Sequence, residues 1–94
     1  MDPQQPITQN NLGLILMNRG ELGEAELALR SEIAINPAYD KAHFNLGLVL
    51  ARQGRLQEGV TSWRQAVTLN PENDEARSNL EAAEKTLASG QPPP

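Results

Sequence analysis

A repeat with a period of 34 residues constrains the fold of this chain more than any other feature. In the first half of the unit, Asn11, Leu12, Gly13, Leu14 and Leu16 recur as Asn45, Leu46, Gly47, Leu48 and Leu50. In the second half, Gly20, Leu22, Glu24, Arg30, Asn36 and Pro37 recur as Gly54, Leu56, Glu58, Arg64, Asn70 and Pro71. A third, partial copy contains Asp74, Ala76, Asn79 and Leu80. Self-similarity at this period indicates a stacked helical array of two and a half repeats.

The repeated motifs are N-L-G-L, an R-x-G turn, L-x-E and a closing N-P, with Trp63 and Ala66 in the second copy. This pattern resembles the tetratricopeptide repeat (TPR) family over residues 6 to about 88. The resemblance implies an all-α fold, in which antiparallel helix pairs form a right-handed superhelical stack. It is specific for the fold but not for a partner, because the matching positions are packing positions.

Apolar residues at helical spacing predict five helices, over residues 7–18, 21–35, 40–52, 55–69 and 74–88. Gly20 and Gly54 end the first and third helices, and Pro37 and Pro71 prevent the second and fourth from continuing. We expect a disordered lead (1–6), two repeats (6–39 and 40–73), a capping helix (74–88) and a flexible tail (89–94). Asp40 and Asp74 are the expected amino-terminal caps.

Gly13 and Gly47 are expected where each first helix closely approaches its own second helix, since only a missing side chain permits that contact. Glu81 occupies the matching position in the last helix, which agrees with a polar terminal cap. Two residues depart from the pattern. Gly59 replaces an expected alanine, at a cost of about 0.5–1 kcal/mol in helix propensity. Glu32 replaces alanine in the first repeat, and we expect its carboxylate to reach water.

Catalysis by this chain is not expected. The chain contains no cysteine, and its one histidine, His43, has no second histidine or spaced carboxylate with which to bind a metal or activate a nucleophile. No glycine-rich phosphate loop follows a strand, because no strands are predicted. We therefore expect no enzyme activity, no cofactor and no metal site, and a packing or surface role for His43.

The formal net charge is −4, which disfavours binding to nucleic acid or to an anionic membrane. Acidic residues outnumber basic ones in 1–36 and 72–94, whereas residues 40–71 carry two acids against four bases. A basic middle can bind an acidic partner segment or pair two copies, although a mixed solvated surface is the simpler interpretation. The amino terminus lacks a secretory signal pattern, so we expect a cytoplasmic protein if Met1 is the native start.

The resemblance places the first helix of each pair on a concave groove. The residues expected to contact a partner there are Asn11, Leu14, Met17, Lys41, Phe44, Asn45, Leu48, Arg52 and Asn79. Asn11, Asn45 and Asn79 would form a ladder of amides that bonds a peptide backbone, or they would bond their own loops and neighbouring helices. Leu14, Met17, Phe44 and Leu48 would make the groove apolar, unless some of them face inward.

Some TPR proteins bind a terminal carboxylate with a clamp of lysines, an arginine and two asparagines. Only Asn45 matches that clamp, because Asn10, Leu14, Glu75 and Asn79 stand at its other positions. A dicarboxylate clamp is therefore not expected. The sequence predicts a protein-protein interaction module that binds a peptide or helix of a partner, as a scaffold or adaptor. The alternative is a self-assembling homo-oligomer, and nucleic-acid binding is a remote third possibility.

Overall fold

The computed structural model describes residues 6–90, which form five α-helices and no strand. These are α1 (Pro6–Asn18), α2 (Leu22–Ile35), α3 (Asp40–Arg52), α4 (Leu56–Leu69) and α5 (Asp74–Ser89). Each predicted helix is present, and no end differs from its predicted position by more than one residue. Most of the predicted lead and tail lies outside the described residues.

The turns within the two helix pairs have the same geometry. Gly20 and Gly54 have φ angles of 79° and 81°, a left-handed conformation that glycine adopts without strain. The N–H groups of Glu21 and Arg55 then bond the carbonyl oxygens of Leu16 and Leu50, each at 2.9 Å. These bonds satisfy carbonyl groups at the helix ends, and the predicted stops are confirmed.

The helix starts differ from the prediction in one respect. Asp40 and Asp74 are the first residues of α3 and α5 rather than their caps, and the side chain of Asn73 caps α5 by accepting from Ala76 N–H at 3.0 Å. Asp40 instead accepts hydrogen bonds from the side-chain amides of Asn70, at 3.2 Å, and Asn73, at 2.9 Å. The start of α3 is therefore tied to the loop between α4 and α5.

The helices stack in sequence order along one direction. α1 packs against α2 and α3 against α4 as antiparallel pairs, while α2 contacts α3, α4 contacts α5, and α1 also contacts α3. The extents of the described chain are 46 × 28 × 17 Å, and one dimension much longer than the others is expected of a short linear array. This arrangement places α1 and α3 side by side, so that their free faces share one surface.

Glycine permits the close contact within each pair, as predicted. A Cβ atom on Gly13 would lie 2.7 Å from Leu29 Cγ, and one on Gly47 would lie 2.3 Å from Trp63 Nε1. Gly59 also has a packing role, since its Cβ would lie 3.0 Å from the carbonyl oxygen of Gly47. The helix propensity lost at Gly59 therefore accompanies a close approach of α4 to α3.

Two apolar clusters form the core. The first contains Met17, Ala25, Leu29, Leu46, Val49 and Leu50, and the second contains Val60, Trp63 and Ala83. Leu48 packs against both clusters and so links the two repeats. Because Ala83 comes from α5, this last helix covers apolar surface of α4.

Two residues of the predicted apolar stripe on α1 are not buried. Leu12 is 43% exposed and Ile15 is 55% exposed, whereas their repeat equivalents Leu46 and Val49 are 4% and 0% exposed. α2 packs against α3 and covers Leu46 and Val49, but no described helix lies on the corresponding face of α1. We call this face, defined by Leu12 and Ile15, the outer face of α1.

The prediction that Glu32 extends its carboxylate into water is wrong. Its side chain is fully buried, and Oε1 accepts the backbone N–H of Asn10 at 2.9 Å. The second oxygen, Oε2, has no hydrogen-bond partner among the described residues. Burial raises the pKa of the Glu32 carboxyl, although the N–H groups of Asn10 and Gln9 act in the opposite direction. The short distance from α2 to the first turns of α1 leaves no path to solvent for this side chain.

Candidate functional site

A cavity of about 700 Å³ opens where α1 and α3 lie side by side, and the loop between α4 and α5 closes one end. We call it the α1–α3 cavity. Its lining residues are Asn10, Asn11, Leu14, Tyr39, Asp40, Lys41, Phe44, Asn45, Asn70, Glu72, Asn73, Asp74 and Glu75. Five of the nine predicted partner-binding residues are among them. The cavity therefore brings together the predicted residues of the amino-terminal half of α3 with Asn11 and Leu14 of α1.

The apolar part of this cavity is formed by Leu14 and Phe44, which are both half-buried. Leu14 packs against the first core cluster and Phe44 against the second. Their inner sides are thus held by the core, while their remaining surface lines the cavity. Such a surface can bury an apolar side chain from another molecule without rearranging the fold.

The asparagine ladder is not a set of equivalent groups. Asn11 is exposed, but Asn45 is only 6% exposed, and its Nδ2 donates to Asn10 Oδ1 at 2.9 Å. Of the two alternatives for the asparagines, Asn45 follows the second with its Nδ2 group, which bonds α3 to the neighbouring helix α1. Asn45 Oδ1 and Asn10 Nδ2 form no hydrogen bond within residues 6–90.

Met17 does not line the groove. Only 5% of it is exposed, and it belongs to the first core cluster together with Leu29 and Leu50. The side chain points from α1 towards α2 because position 17 lies on the same helical face as Gly13, where the two helices are closest. We therefore exclude Met17 from the candidate binding surface.

The remaining predicted residues line a second cavity of about 430 Å³, the α3–α5 cavity. Its lining residues are Leu48, Ala51, Arg52, Leu56, Trp63, Asn79, Ala82, Ala83 and Thr86. It is mainly apolar, and Arg52 is its one charged residue. Phe44 and Leu48 are one helical turn apart on α3, so the two cavities are neighbours along that helix.

The α4–α5 loop contributes Asn70, Glu72 and Asn73 to the cavity, and the repeat pattern did not predict these residues. Asn70 and Asn73 are held at the cavity by hydrogen bonds to Asp40. The repeat pattern does not indicate these bonds, because the residue equivalent to Asn73 in the first repeat is Tyr39. The loop and the first turn of α5 place Glu72, Asp74 and Glu75 at a cavity for which the excess of basic residues in 40–71 had suggested a basic character.

Within residues 6–90, no group of three or more histidine, cysteine or acidic side chains could hold a metal ion. Nε2 of His43 lies 2.8 Å from the carbonyl oxygen of Pro37, a contact in which the ring N–H donates. His43 thus secures the loop that precedes α3. No helix in the described part of the chain is long and apolar enough to cross a membrane.

Residues 40–73 match the family model of the tetratricopeptide repeat. Residues 40–73 therefore form a tetratricopeptide repeat. The match covers α3, α4 and the loop that follows them, which include the close contact of Gly47 with Trp63. No curated protein sequence matches the chain significantly.

Two solved structures show the same TPR architecture. An O-GlcNAc transferase of Thermobaculum terrenum aligns with 86% of this chain at 34% identity and a TM-score of 0.82, although this chain spans only 16% of that protein. The first TPR domain of Spaghetti (RPAP3), bound to the HSP90 peptide SRMEEVD, aligns with 93% of this chain at 25% identity and a TM-score of 0.86. This chain spans 69% of that domain.

Proposed function

We propose that this TPR chain is an interaction module that binds a peptide or helix of a partner protein in the α1–α3 cavity. The proposal rests on one observation. Leu14 and Phe44 pack against the core and form an apolar floor in a cavity of about 700 Å³. This volume is in the range of sites that enclose a ligand of several side chains. An exposed apolar surface with a polar rim is typical of a binding site, because a partner that covers it removes apolar area from water.

The polar groups of the cavity would fix the direction in which a peptide backbone binds. Asn45 offers Oδ1 as an acceptor and Asn10 offers Nδ2 as a donor, which together match the N–H and C=O groups of an extended backbone. Because the bond between the two asparagines fixes both amides, a partner would not have to order them on binding. Lower ordering cost favours affinity.

The neighbour among solved structures supports the same class of function. The TPR domain of RPAP3 was solved with an HSP90 peptide bound, so a fold of this kind accommodates a short peptide. For the present chain, the partner and a scaffold or adaptor role are part of the proposal.

A peptide selection tests the proposal directly. Random peptides displayed on phage are selected on the full chain, and the affinity of enriched peptides is measured by fluorescence anisotropy. Asn11→Tyr places a large side chain at an exposed position of the cavity wall, and we expect it to weaken binding at least tenfold. Asn18→Tyr, at an exposed position of α1 outside the cavity, is the matched control and should leave the affinity within about twofold.

Phe44→Ala serves as a second test of the floor, with circular dichroism to verify that the variant folds. Its affinity should fall as in Asn11→Tyr. Selection of no peptide, or peptides that bind Asn11→Tyr and folded Phe44→Ala as well as the unmodified chain, would contradict the proposed site.

A second candidate function, self-assembly, is favoured by the outer face of α1. Leu12 and Ile15 are equivalent, two repeats apart, to Leu80 and Ala83, which are the residues that α5 places against α4. α1 of a second copy therefore carries the apolar residues needed to pack on α4 in place of α5. Exchange of this kind would bury Leu12 and Ile15, which are otherwise exposed.

Light scattering across a concentration series tests this candidate. Self-assembly predicts a mass that rises with concentration, and it predicts that Leu12→Lys with Ile15→Lys restores the monomer. Leu27→Lys is the control, since Leu27 is 68% exposed on α2 and lies outside the outer face of α1. A monomer throughout the series would exclude assembly.

A further inference from the structure

The charges around the α1–α3 cavity are predominantly acidic. Asp40, Glu72, Asp74 and Glu75 line it, and Lys41 is the one basic residue among the lining residues. Most of these carboxylates belong to the α4–α5 loop and the first turn of α5, so they gather at one end of the cavity. The basic character of residues 40–71 in the sequence therefore does not extend to this cavity.

Not all of these carboxylates are free to bind a partner. Asp40 accepts the amides of Asn70 and Asn73, and Asp74 forms an ion pair with Arg77. Glu72 and Glu75 are both exposed, and neither side chain forms a hydrogen bond or ion pair within residues 6–90. These two carboxylates are the unpaired negative charges of the cavity.

Glu72, Asp74 and Glu75 lie within four residues of the chain, where like charges repel. The dipole of α5 favours Asp74 and Glu75 in its first turn, but neither Glu72 nor Glu75 has a basic partner among the described residues. A partner that brings positive charge would relieve this repulsion. The mostly buried Asn45 adds a further acceptor on the cavity wall, Oδ1, which has no partner among the described residues.

We propose that the partner segment is basic: a peptide whose lysine or arginine side chains meet Glu72 and Glu75, with a neighbouring apolar side chain on Leu14 and Phe44. This inference rests on the proposed function and adds the chemical class of the ligand. Opposite charge at the rim of an apolar site raises the association rate and excludes partners of the wrong sign.

An acidic peptide is the contrasting case. The peptide SRMEEVD, which the TPR domain of RPAP3 binds, carries three acidic side chains. In the present cavity, such a peptide would meet four carboxylates and could pair only with Lys41. Arg52, the other basic residue among the predicted contacts, lines the α3–α5 cavity instead.

The peptide selection described above also tests the charge, in two readouts. We expect the enriched peptides to carry a net positive charge, and we expect replacement of their lysines and arginines by glutamine to weaken binding about tenfold. Glu72→Lys combined with Glu75→Lys should weaken binding of the selected peptide by at least tenfold. Labelled SRMEEVD, used as an acidic probe, should bind the unmodified chain more weakly than the selected basic peptides.

The matched control is Glu24→Lys combined with Glu81→Lys, which changes the net charge equally at two exposed residues outside both cavities. Its affinity should remain within about twofold. The inference is overturned if selected peptides are neutral or acidic and bind the Glu72 and Glu75 variant normally, while Asn11→Tyr still abolishes binding. In that result the proposed site survives. Insensitivity to Asn11→Tyr would overturn the site and the charge preference together.

Discussion

The indole N–H of Trp63 donates a hydrogen bond to the backbone carbonyl oxygen of Phe44, with 3.1 Å between nitrogen and oxygen. Trp63 is 5% exposed in the second core cluster, and Phe44 lines the α1–α3 cavity. The indole reaches this carbonyl by lying directly over Gly47. The backbone beneath the apolar floor of the cavity is therefore held by the core of the second repeat.

Gly47→Ala should destabilise the protein strongly. The added Cβ would lie 2.3 Å from Trp63 Nε1 and 2.5 Å from its Cδ1, so the rigid indole must move and its bond to Phe44 must break. Overpacking of this kind costs about 1–3 kcal/mol. Urea denaturation, followed by the fluorescence of the single tryptophan, measures the change in the free energy of unfolding.

Gly23→Ala is the control for the same substitution in a helix. Gly23 is exposed near the start of α2, and its Cβ would meet nothing within 4 Å. The variant should be as stable as the parent or more stable by up to about 1 kcal/mol. Equal effects of the two substitutions would show that helix propensity, and not the contact with Trp63, determines the result.

The repeat pattern was sufficient to predict the helices, their turns and the close contacts at Gly13 and Gly47. Each of these depends on local sequence or on contacts that recur in both repeats. Two features could not be predicted because they depend on residues whose repeat equivalents are of a different type. Asn45 bonds Asn10, whose repeat equivalent is Phe44, and Glu32 is buried against a backbone N–H that the pattern does not specify.

The ends of the array are the other place where periodicity fails. Repeat-equivalent positions are not buried alike there, since Leu12 is exposed while Leu46 is buried. Burial depends on a neighbouring helix as well as on the residue itself, and no described helix covers the outer face of α1. The repeat pattern did not predict the acidic character of the α1–α3 cavity, because Glu72, Asp74 and Glu75 come from the end of the second repeat and the start of α5.

The bond between Asn45 and Asn10 leads to a second prediction. Asn45→Ala removes the Nδ2 donor and leaves Asn10 Oδ1, in a side chain that is 4% exposed, without its partner. We expect a loss of about 1–2 kcal/mol in the free energy of unfolding. Asn11→Ala, at the exposed neighbouring position, should change it by less than about 0.5 kcal/mol. Equal losses would mean that the hydrogen bond between α1 and α3 contributes nothing to stability.

Glu32 should make stability depend on pH in an unusual direction. Its pKa in the folded protein is raised by burial, so the folded state binds its proton more tightly than the unfolded chain does. Protonated Glu32 therefore stabilises the folded protein in full below the ordinary glutamate pKa. This stabilisation is lost as the pH rises through the raised pKa of Glu32 in the folded state. Glu32→Gln removes the buried charge, and the variant should therefore be the more stable protein at neutral pH.

The measurement for Glu32 is the difference in unfolding free energy between the variant and the parent as a function of pH. The advantage of Glu32→Gln should shrink as the pH falls towards the ordinary range for glutamate. A difference that stays constant between neutral and acidic pH would show that Glu32 titrates alike in the folded and unfolded chains.

The stability that comes from the ion pairs of Glu26 should depend on pH in the opposite direction. Burial acts to raise the pKa of Glu26, but hydrogen bonds from Arg55 and Arg30 outweigh it, so that the pKa is lowered overall. The resulting stability is present above the ordinary glutamate pKa and is lost as the pH falls through the lowered value. Arg55 Nη1 lies 2.8 Å from Glu26 Oε1 and joins the start of α4 to α2.

Arg55→Gln should therefore reduce stability at neutral pH and have less effect in acid, where Glu26 is protonated. Because the side chain of Arg55 is 37% exposed, the loss should be smaller than that of Gly47→Ala and should decrease with added salt. Thermal unfolding at two pH values and two salt concentrations measures it. An effect that is independent of both would indicate lost packing of the arginine side chain instead of lost charge.

Binding of a polypeptide segment in the α1–α3 cavity can be observed by titrating the ¹⁵N-labelled chain with a selected peptide and following the backbone amide chemical shifts. We expect the largest shifts at Asn11, Lys41, Phe44 and Glu75, which line the cavity on α1, α3 and α5. Saturable shifts confined to α2 and the outward surface of α4, with these four amides unmoved, would contradict binding in this cavity.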